Sequence, residues 1–222
     1  MRFQTFRRFH STVIKRKMAW HQALVPYIEH PETYDPSIVR HFDAATVTIA
    51  DQYPKATAHY LVMPRNQNPD IQHTWPLASV ASLDPNSEGD MAVLAALEDR
   101  CKALEAELRI EHPTFRFRTG VHAVPSMTHL HVHVISQDFV SDRLKRKDHW
   151  LAFTTDFFVP LRRVAAELRA GRRVAMVHED YDKKLAAKGA KIQCHECRDR
   201  SYPSMPALKR HLASVPHGRS LD

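Results

Sequence analysis

Apolar and polar residues alternate along several short stretches of the chain and change to a helical spacing along one long stretch. Residues 45–51 (ATVTIAD) alternate as a half-buried strand does. Residues 58–63 (AHYLVM) predict a second strand, with Pro54 marking the turn between the two. From residue 88 to 112 the period lengthens. Met91, Leu94, Ala95, Leu97, Cys101, Leu104 and Leu108 make a helical stripe, and Pro113 ends it. Ser87 fits the N-cap of that helix, with Asp90 at the capping-box spacing. Residues 115–121 (FRFRTGV) and 129–136 (HLHVHVIS) alternate again. Two strands, a long helix and two more strands predict an α+β domain. The flanks are less regular. Residues 20–28 predict a short helix interrupted by Pro26, residues 64–85 are irregular, and a connecting segment follows Trp150. A basic helix is expected over 161–170 and a compact tail over 192–217.

Composition adds a boundary. The 222 residues are 43% hydrophobic, enough for a core, and no apolar run approaches the ~20 residues of a membrane span. The net charge is +7, but residues 1–159 hold 18 Lys+Arg against 18 Asp+Glu. All the excess lies in residues 160–222, with 14 against 7. A neutral body with a basic C-terminal part reads as a selective domain carrying a polyanion-binding region, or as a body with a solvated basic surface. Clusters at 143–147 and 162–173 suggest contact with a nucleic-acid backbone. The first 17 residues contain six Lys/Arg and no acid, a composition shared by mitochondrial transit peptides and by basic nucleic-acid-contacting arms. The expected organisation is therefore a basic extension at 1–17, a domain at 18–159 and a basic region at 160–222.

The candidate chemistry centres on SMTHLHVHVISQDF, residues 126–139. On a strand His129, His131 and His133 share one face at ~7 Å intervals, while Leu130, Val132 and Val134 face a core. Such a row can bind a metal, hold phosphate oxygens around a nucleophilic imidazole, or be a plain polar face. His122 and Ser126 lie just upstream and suit phosphate chemistry, because one imidazole can attack while another handles a proton.

A second cluster is CHECRDRSYPSMPALKRHLASVPH, which spaces Cys194, Cys197, His211 and His217 as C-x2-C-x13-H-x5-H. Four N/S ligands at this spacing suit structural zinc; the Cys–His gap exceeds the usual twelve residues by one, and five residues between the histidines is the upper end of the range. Leu208 and Tyr202 supply a small core, and Lys209 and Arg210 are expected to be exposed towards phosphates. His195, between the cysteines, is not expected to reach the metal.

The His-φ-His-φ-His-φ-φ row resembles the histidine triad superfamily. Together, DQYPKATAHYLVMPR, GVHAVPSMTHLHVHVISQDF, LKRKDHW and the C-x-x-C tail resemble the aprataxin family, from about residue 20 to 217 and more weakly over 64–112. That resemblance implies an antiparallel sheet with helices followed by a zinc finger. It implies a hydrolase removing AMP from adenylated DNA 5′ ends, with His131 as nucleophile and His122 as proton donor to the leaving phosphate. His133 and Ser126 would hold phosphate oxygens, and His129 would orient its neighbours. Asp51 would bind ribose hydroxyls, Lys55 would lie at the nucleotide edge, and Trp20 would stack on a terminal base pair. Zinc would be structural, with no catalytic metal. A nuclear monomer without a phosphopeptide-binding forkhead-associated domain is expected, with DNA and AMP as its ligands. A small-molecule nucleotidyl hydrolase and a non-catalytic zinc-finger module are the rival readings.

Overall fold

The sheet is built outward from the strand that carries the last histidine. The structure, a computed structural model, describes residues 20–65, 77–174, 191–197 and 201–214. Strands β1 (Val39–Phe42), β2 (Thr46–Ala50), β3 (His59–Pro64), β4 (Phe117–His122), β5 (Val132–Ser136) and β6 (Phe158–Pro160) form one antiparallel sheet in the order β1-β2-β3-β5-β4-β6. Because β5 lies between β3 and β4, Leu61 and Gly120 are both register partners of His133. Segments far apart in sequence therefore meet around the histidine row.

One face of the sheet is covered by α2 (Glu88–Glu111). The Ser87 hydroxyl accepts a hydrogen bond from the Asp90 amide at 3.2 Å, as the capping pattern predicts. The Asp90 carboxylate, however, accepts the Asp84 amide at 2.8 Å, which fastens the preceding loop. The buried stripe is Val93, Leu94, Leu97, Cys101, Leu104 and Leu108; Met91 is marginal and Ala95 is exposed. These side chains pack on Val62, Val132, Val134 and Val121. Helix α4 (Leu161–Arg169) joins the same core through Leu161, Val164, Ala165 and Leu168. Ion pairs from Arg169 to Glu98 and from Arg173 to Asp84 fasten it, so part of the basic excess is engaged internally.

The other face carries two clusters with the histidines between them. Towards β1, helix α1 (Val25–Glu29) and the residue before it set Leu24 and Ile28 against Val47, Ile49, Leu61 and Met63. Pro26 does not interrupt this helix; it occupies the first turn, where a missing N–H costs no hydrogen bond. Towards β6, helix α3 (Lys147–Thr154) packs with a small C-terminal unit of β7 (Ile192–Gln193), β8 (Ser201–Tyr202) and α5 (Met205–Ser214). Phe139, at the end of the SQDF segment, is fully buried there with φ 50°, a left-handed conformation that costs a bulky residue roughly 1–2 kcal/mol. Its edge-on contacts with Trp150 and His195, at 5.2 and 5.1 Å, offset that cost.

Three elements escape the sequence pattern. β1 (VRHF) is short, bulged between Val39 and His41, and polar at its centre. β6 is only three residues long. Helix α3 runs into the stretch expected to be a connector. The histidine row also differs in detail: strand pairing starts at Val132, so His129 and His131 precede the strand. Alternation still holds, with Leu130, Val132 and Val134 in the α2 core.

Candidate active site and zinc finger

Five histidines converge where β3, β4 and β5 meet. His129, His131 and His133 are buried, as is His59 at the start of β3. His122, at the end of β4, keeps part of its surface exposed, but its Nε2 is shielded. The His122 and His133 ring centroids lie 4.4 Å apart, and those of His131 and His133 lie 5.1 Å apart. Phe153, on α3, roofs the group at 4.6 Å from His122 and 5.3 Å from both His59 and His133. Gly120 makes room for the adjoining wall. A Cβ there would lie 2.5 Å from the Val159 carbonyl and 2.7 Å from the Phe158 ring.

Backbone groups assign the ring protons. The His131 Nδ1 lies 2.6 Å from the carbonyl oxygen of His129. A carbonyl only accepts, so Nδ1–H donates and Nε2 keeps its lone pair. The His129 Nε2 likewise donates to the Pro64 carbonyl at 3.2 Å. At His59 the order is reversed. The Lys55 amide donates to Nδ1 at 3.2 Å, so the neutral ring carries its proton on Nε2. That Nε2–H donates to His133 Nδ1 at 3.0 Å, with Asp51 Oδ2 also near, at 3.5 Å. His133 must then carry its own proton on Nε2, which is buried and without a hydrogen-bond partner. The pocket therefore presents an imidazole lone pair from His131 beside an N–H donor from His133.

Burial keeps these rings neutral. It pushes His122 down to about 3 and both His129 and His59 to about 4, and it holds His133 well below its ordinary value. His131 is lowered by burial too, but the His129 carbonyl and the Asp51 charge oppose the shift. A neutral nucleophile is thus available at physiological pH.

The remaining sequence candidates are distributed around this centre. Asp51 ends the β2 side of the pocket, its Oδ1 held by the Tyr53 amide at 2.7 Å. Lys55 is half-buried at the rim, its amine bonded to the Tyr53 carbonyl; burial lowers its pKa, and the Asp51 charge opposes that shift. Ser126 is exposed on the loop between β4 and β5 and makes no hydrogen bond to the histidines. Trp20 opens a 3-10 turn, Trp20–Gln22. The next residue pins that turn to the histidine loop, because the His21 carbonyl accepts both the amide and the hydroxyl of Thr128, at 3.0 and 3.1 Å.

Two neighbours were not singled out from the sequence. The first is His59, whose only signal is a lone imidazole opening an apolar strand on the same face as Leu61 and Met63. The second is His149 on α3, half-buried, with its Nδ1 shielded and unpartnered. Asp51, His59 and His133 bring their donor atoms within 4.8 Å of one another, a spacing that also suits a metal. The Lys55 amide opposes that use. A metal on His59 Nε2 would move the ring proton to Nδ1, against another donor.

The C-terminal unit brings Cys194, Cys197 and His211 together, their ligand atoms within 4.8 Å of one another. Cys197 Sγ and His211 Nε2 are 3.6 Å apart. Tetrahedral zinc with bonds of ~2.3 Å to sulfur and ~2.0–2.1 Å to nitrogen requires an edge of about this length. These residues therefore fit structural zinc. His217 lies outside the described residues. Leu208 is buried and Tyr202 stacks on His211 at 4.9 Å, the small core expected of a finger. His195 instead packs edge-on against Trp150 at 5.4 Å. Lys209 is not free to meet phosphates; its amine bonds to the Ser141 carbonyl at 2.9 Å and pairs with Asp142. Arg210 is exposed.

This architecture has relatives. Residues 27–149 match the scavenger mRNA decapping enzyme C-terminal binding family, and residues 154–216 match the C2HE / C2H2 / C2HC zinc-binding finger. The aprataxin-like protein of Schizosaccharomyces pombe is 31% identical over 89% of this chain and 82% of its own length. The chain belongs to the aprataxin family. Aprataxin of Ciona intestinalis is 34% identical over 88% of this chain. The chain spans 46% of the length of that relative and 51% of aprataxin of Gallus gallus. Among solved structures, the aprataxin ortholog Hnt3 in complex with DNA superposes with a TM-score of 0.64 at 25% identity, covering 88% of this chain and 94% of that one. The aprataxin fold accounts for both halves described above, the histidine-bearing sheet and the finger.

Proposed function

We propose that the chain is a DNA-repair hydrolase that removes AMP from adenylated 5′ ends through a covalent adenylyl-His131. The observation that carries this reading is the proton order of the pocket: a bare His131 Nε2 beside an unpartnered His133 Nε2–H. Family membership, and the DNA bound to the related Hnt3, support the substrate class.

In the first step the His131 lone pair attacks the adenylate phosphorus. An Nε2–P bond forms and the P–O bond to the DNA 5′-phosphate breaks. The departing group is a phosphate monoester, a good leaving group, so His122 need only donate a hydrogen bond or share a proton. That matches a ring that burial keeps neutral. His133 Nε2–H donates to a non-bridging oxygen as charge builds there. In the second step water attacks phosphorus, releases AMP and restores the lone pair, so one difficult displacement becomes two easier ones. Asp51 retains lone pairs for ribose hydroxyls, and Lys55 and Ser126 lie where the nucleotide enters. Trp20 would stack on the terminal base pair, an interaction worth ~1–3 kcal/mol. Cys194, Cys197, His211 and His217 would hold zinc as a structural ion, and none of these steps passes through it.

The test is AMP release from nicked DNA carrying 5′-AMP, compared with AMP-lysine and diadenosine polyphosphate, with EDTA present. Preference for DNA is expected. Preference for the small substrates would overturn the DNA reading, and no release from any substrate would favour a binding module. His131→Ala should abolish the labelled adenylyl-enzyme, whereas His122→Ala should only slow its formation.

A further inference from the structure

On the face of the sheet away from the histidines, α2, the outer edge of β4 and the start of α4 enclose a cleft of about 690 Å³. β6 covers β4 only from Gly120 to His122. The Ala123 amide donates across that edge to the Phe157 carbonyl at 2.8 Å. Strand alternation therefore turns the backbone polar groups of Val121, Thr119 and Phe117 to the same side. Gly120 and Pro160 form a non-hydrogen-bonded pair, because proline has no N–H, so the Leu161 amide closes the ladder on the Thr119 carbonyl. Beyond that bond the Thr119 amide and the polar groups of Phe117 face the cleft. The Thr119 hydroxyl on this wall is buried and has no hydrogen-bond partner.

The walls carry more cations than acids. Lys102, Arg118 and Arg162 line the cleft and make no ion pair among the described residues. The two acids on the α2 wall, Glu98 and Glu105, are already bound by Arg169 and Arg109. Arg118 is half-buried, fixed by a bond to the Phe153 carbonyl at 3.1 Å and by stacking on Phe158. Burial and the neighbouring Arg162 both press against its charge. Helix α4 begins at the same point, with Pro160 as an N-cap that offers no side-chain acceptor and with no acid in its first turn. The first-turn amides after Leu161, which have no partner within the helix, add a further positive end. Two guanidiniums and a helix N-terminus thus converge where a stable fold would ordinarily place a carboxylate.

We propose that this cleft is a second phosphoryl-anion site, separate from the histidine pocket, in which Arg118, Arg162 and Lys102 neutralise the phosphate of a nucleotide. Its volume is in the range of small-molecule sites, ~300–1,000 Å³, and Phe117 and Leu161 give it an apolar floor against which the rest of a nucleotide can lie. That nucleotide is either free or part of a nucleic-acid strand.

The full-length, zinc-loaded chain would be titrated with pyrophosphate and followed by amide NMR. Shifts at Thr119, Leu161 and Arg162 are expected. Arg162→Gln should weaken binding about tenfold, the loss of one charge-assisted hydrogen bond. Arg163→Gln removes the same charge from the next residue, which does not line the cleft, and should change binding less than about twofold. A saturating single-stranded oligonucleotide distinguishes the source: displacement of pyrophosphate identifies a strand phosphate as the occupant, and its retention identifies a free ligand. Equal effects of the two substitutions, or shifts confined to the histidine pocket, would overturn the proposal.

Discussion

The two faces of the sheet are held in different ways. The α2 face is closed by aliphatic side chains from regular, periodic segments, with Val62, Leu97, Leu104, Val132 and Val134 almost wholly excluded from water. The face towards β6 is closed by aromatic residues from short, scattered pieces: Phe139, Trp150, Phe153, Phe158 and Tyr202, with Ile192 and Leu208 from the finger. The first core needs only its own hydrophobic periodicity. The second depends on a unit too small to bury a core of its own, in which Cys194, Cys197 and His211 fit an ordering zinc ion. The histidines lie beside this second core, since Phe153 touches three of them while Trp150, one turn earlier, touches the finger residue His195. The finger is therefore joined to the wall of the histidine pocket through α3.

The strongest way to break this contrast is to remove the metal. Structural zinc contributes roughly 10 kcal/mol or more to folding of small fingers. Cys194→Ser, or chelation, should remove about one zinc per chain. Hydrogen exchange should then rise across 192–214 and 147–154 while residues 91–108 stay protected. Equal loss of protection in α2 would show that the two cores are a single cooperative unit.

A substitution on the opposite side is the complementary test. Leu104→Ala removes a fully buried side chain from the α2 core and should cost ~2–5 kcal/mol in urea unfolding. Zinc content should be unchanged in the protein that remains folded. Zinc loss before global unfolding would mean that the finger rests on the α2 core more closely than the packing implies.

The same contrast explains what could be read from the sequence. Helix α2, strands β2 to β5 and the inward aliphatic residues were legible because one periodicity runs through each. The histidine row and the C-x-x-C tail were legible as chemistry because residue type and spacing are local. β1, β6 and α3 were not, because each is short and stabilised by partners distant in sequence. His59 illustrates the limit. Nothing local distinguishes it from a core histidine, and only the pairing of β3 with β5 places it on His133. Lys209 shows the reverse error: a helix pattern suggested exposure, but tertiary contact with Ser141 captures its amine.

Acid acts on the histidine pocket beside the second core. Each of the five pocket histidines has its pKa lowered below the ordinary value of 6.5, to about 4 for His59 and His129 and about 3 for His122. The unfolded chain therefore binds more protons, and stability is full above pH 6.5 and falls as pH drops towards the folded values. Between pH 7.5 and 6.0 the loss is roughly 0.8 kcal/mol for each ring that stays neutral, a few kcal/mol in all. Urea midpoints across that range would check it. A midpoint that holds steady would mean that the rings are already charged in the folded protein, and the proton order assigned to the pocket would be wrong.

The smallest effect is the most informative about how the finger communicates with the histidine pocket. The Trp150 indole donates to the Gln193 carbonyl at 3.0 Å, joining α3 to β7 of the finger. Trp150→Phe keeps an aromatic ring between Phe139 and His195 but leaves that carbonyl without its donor. The expected cost is ~0.5–1.5 kcal/mol, well below that of Leu104→Ala. Its reach should exceed its size. Phe153 sits one turn further along α3 against His122 and His133, so the imidazole NMR signals of those rings should move while the amides of residues 91–108 do not. A cost above that of Leu104→Ala would place the main support of the sheet on the finger side. Unmoved imidazole signals would show that α3 does not transmit the state of the finger to the active site.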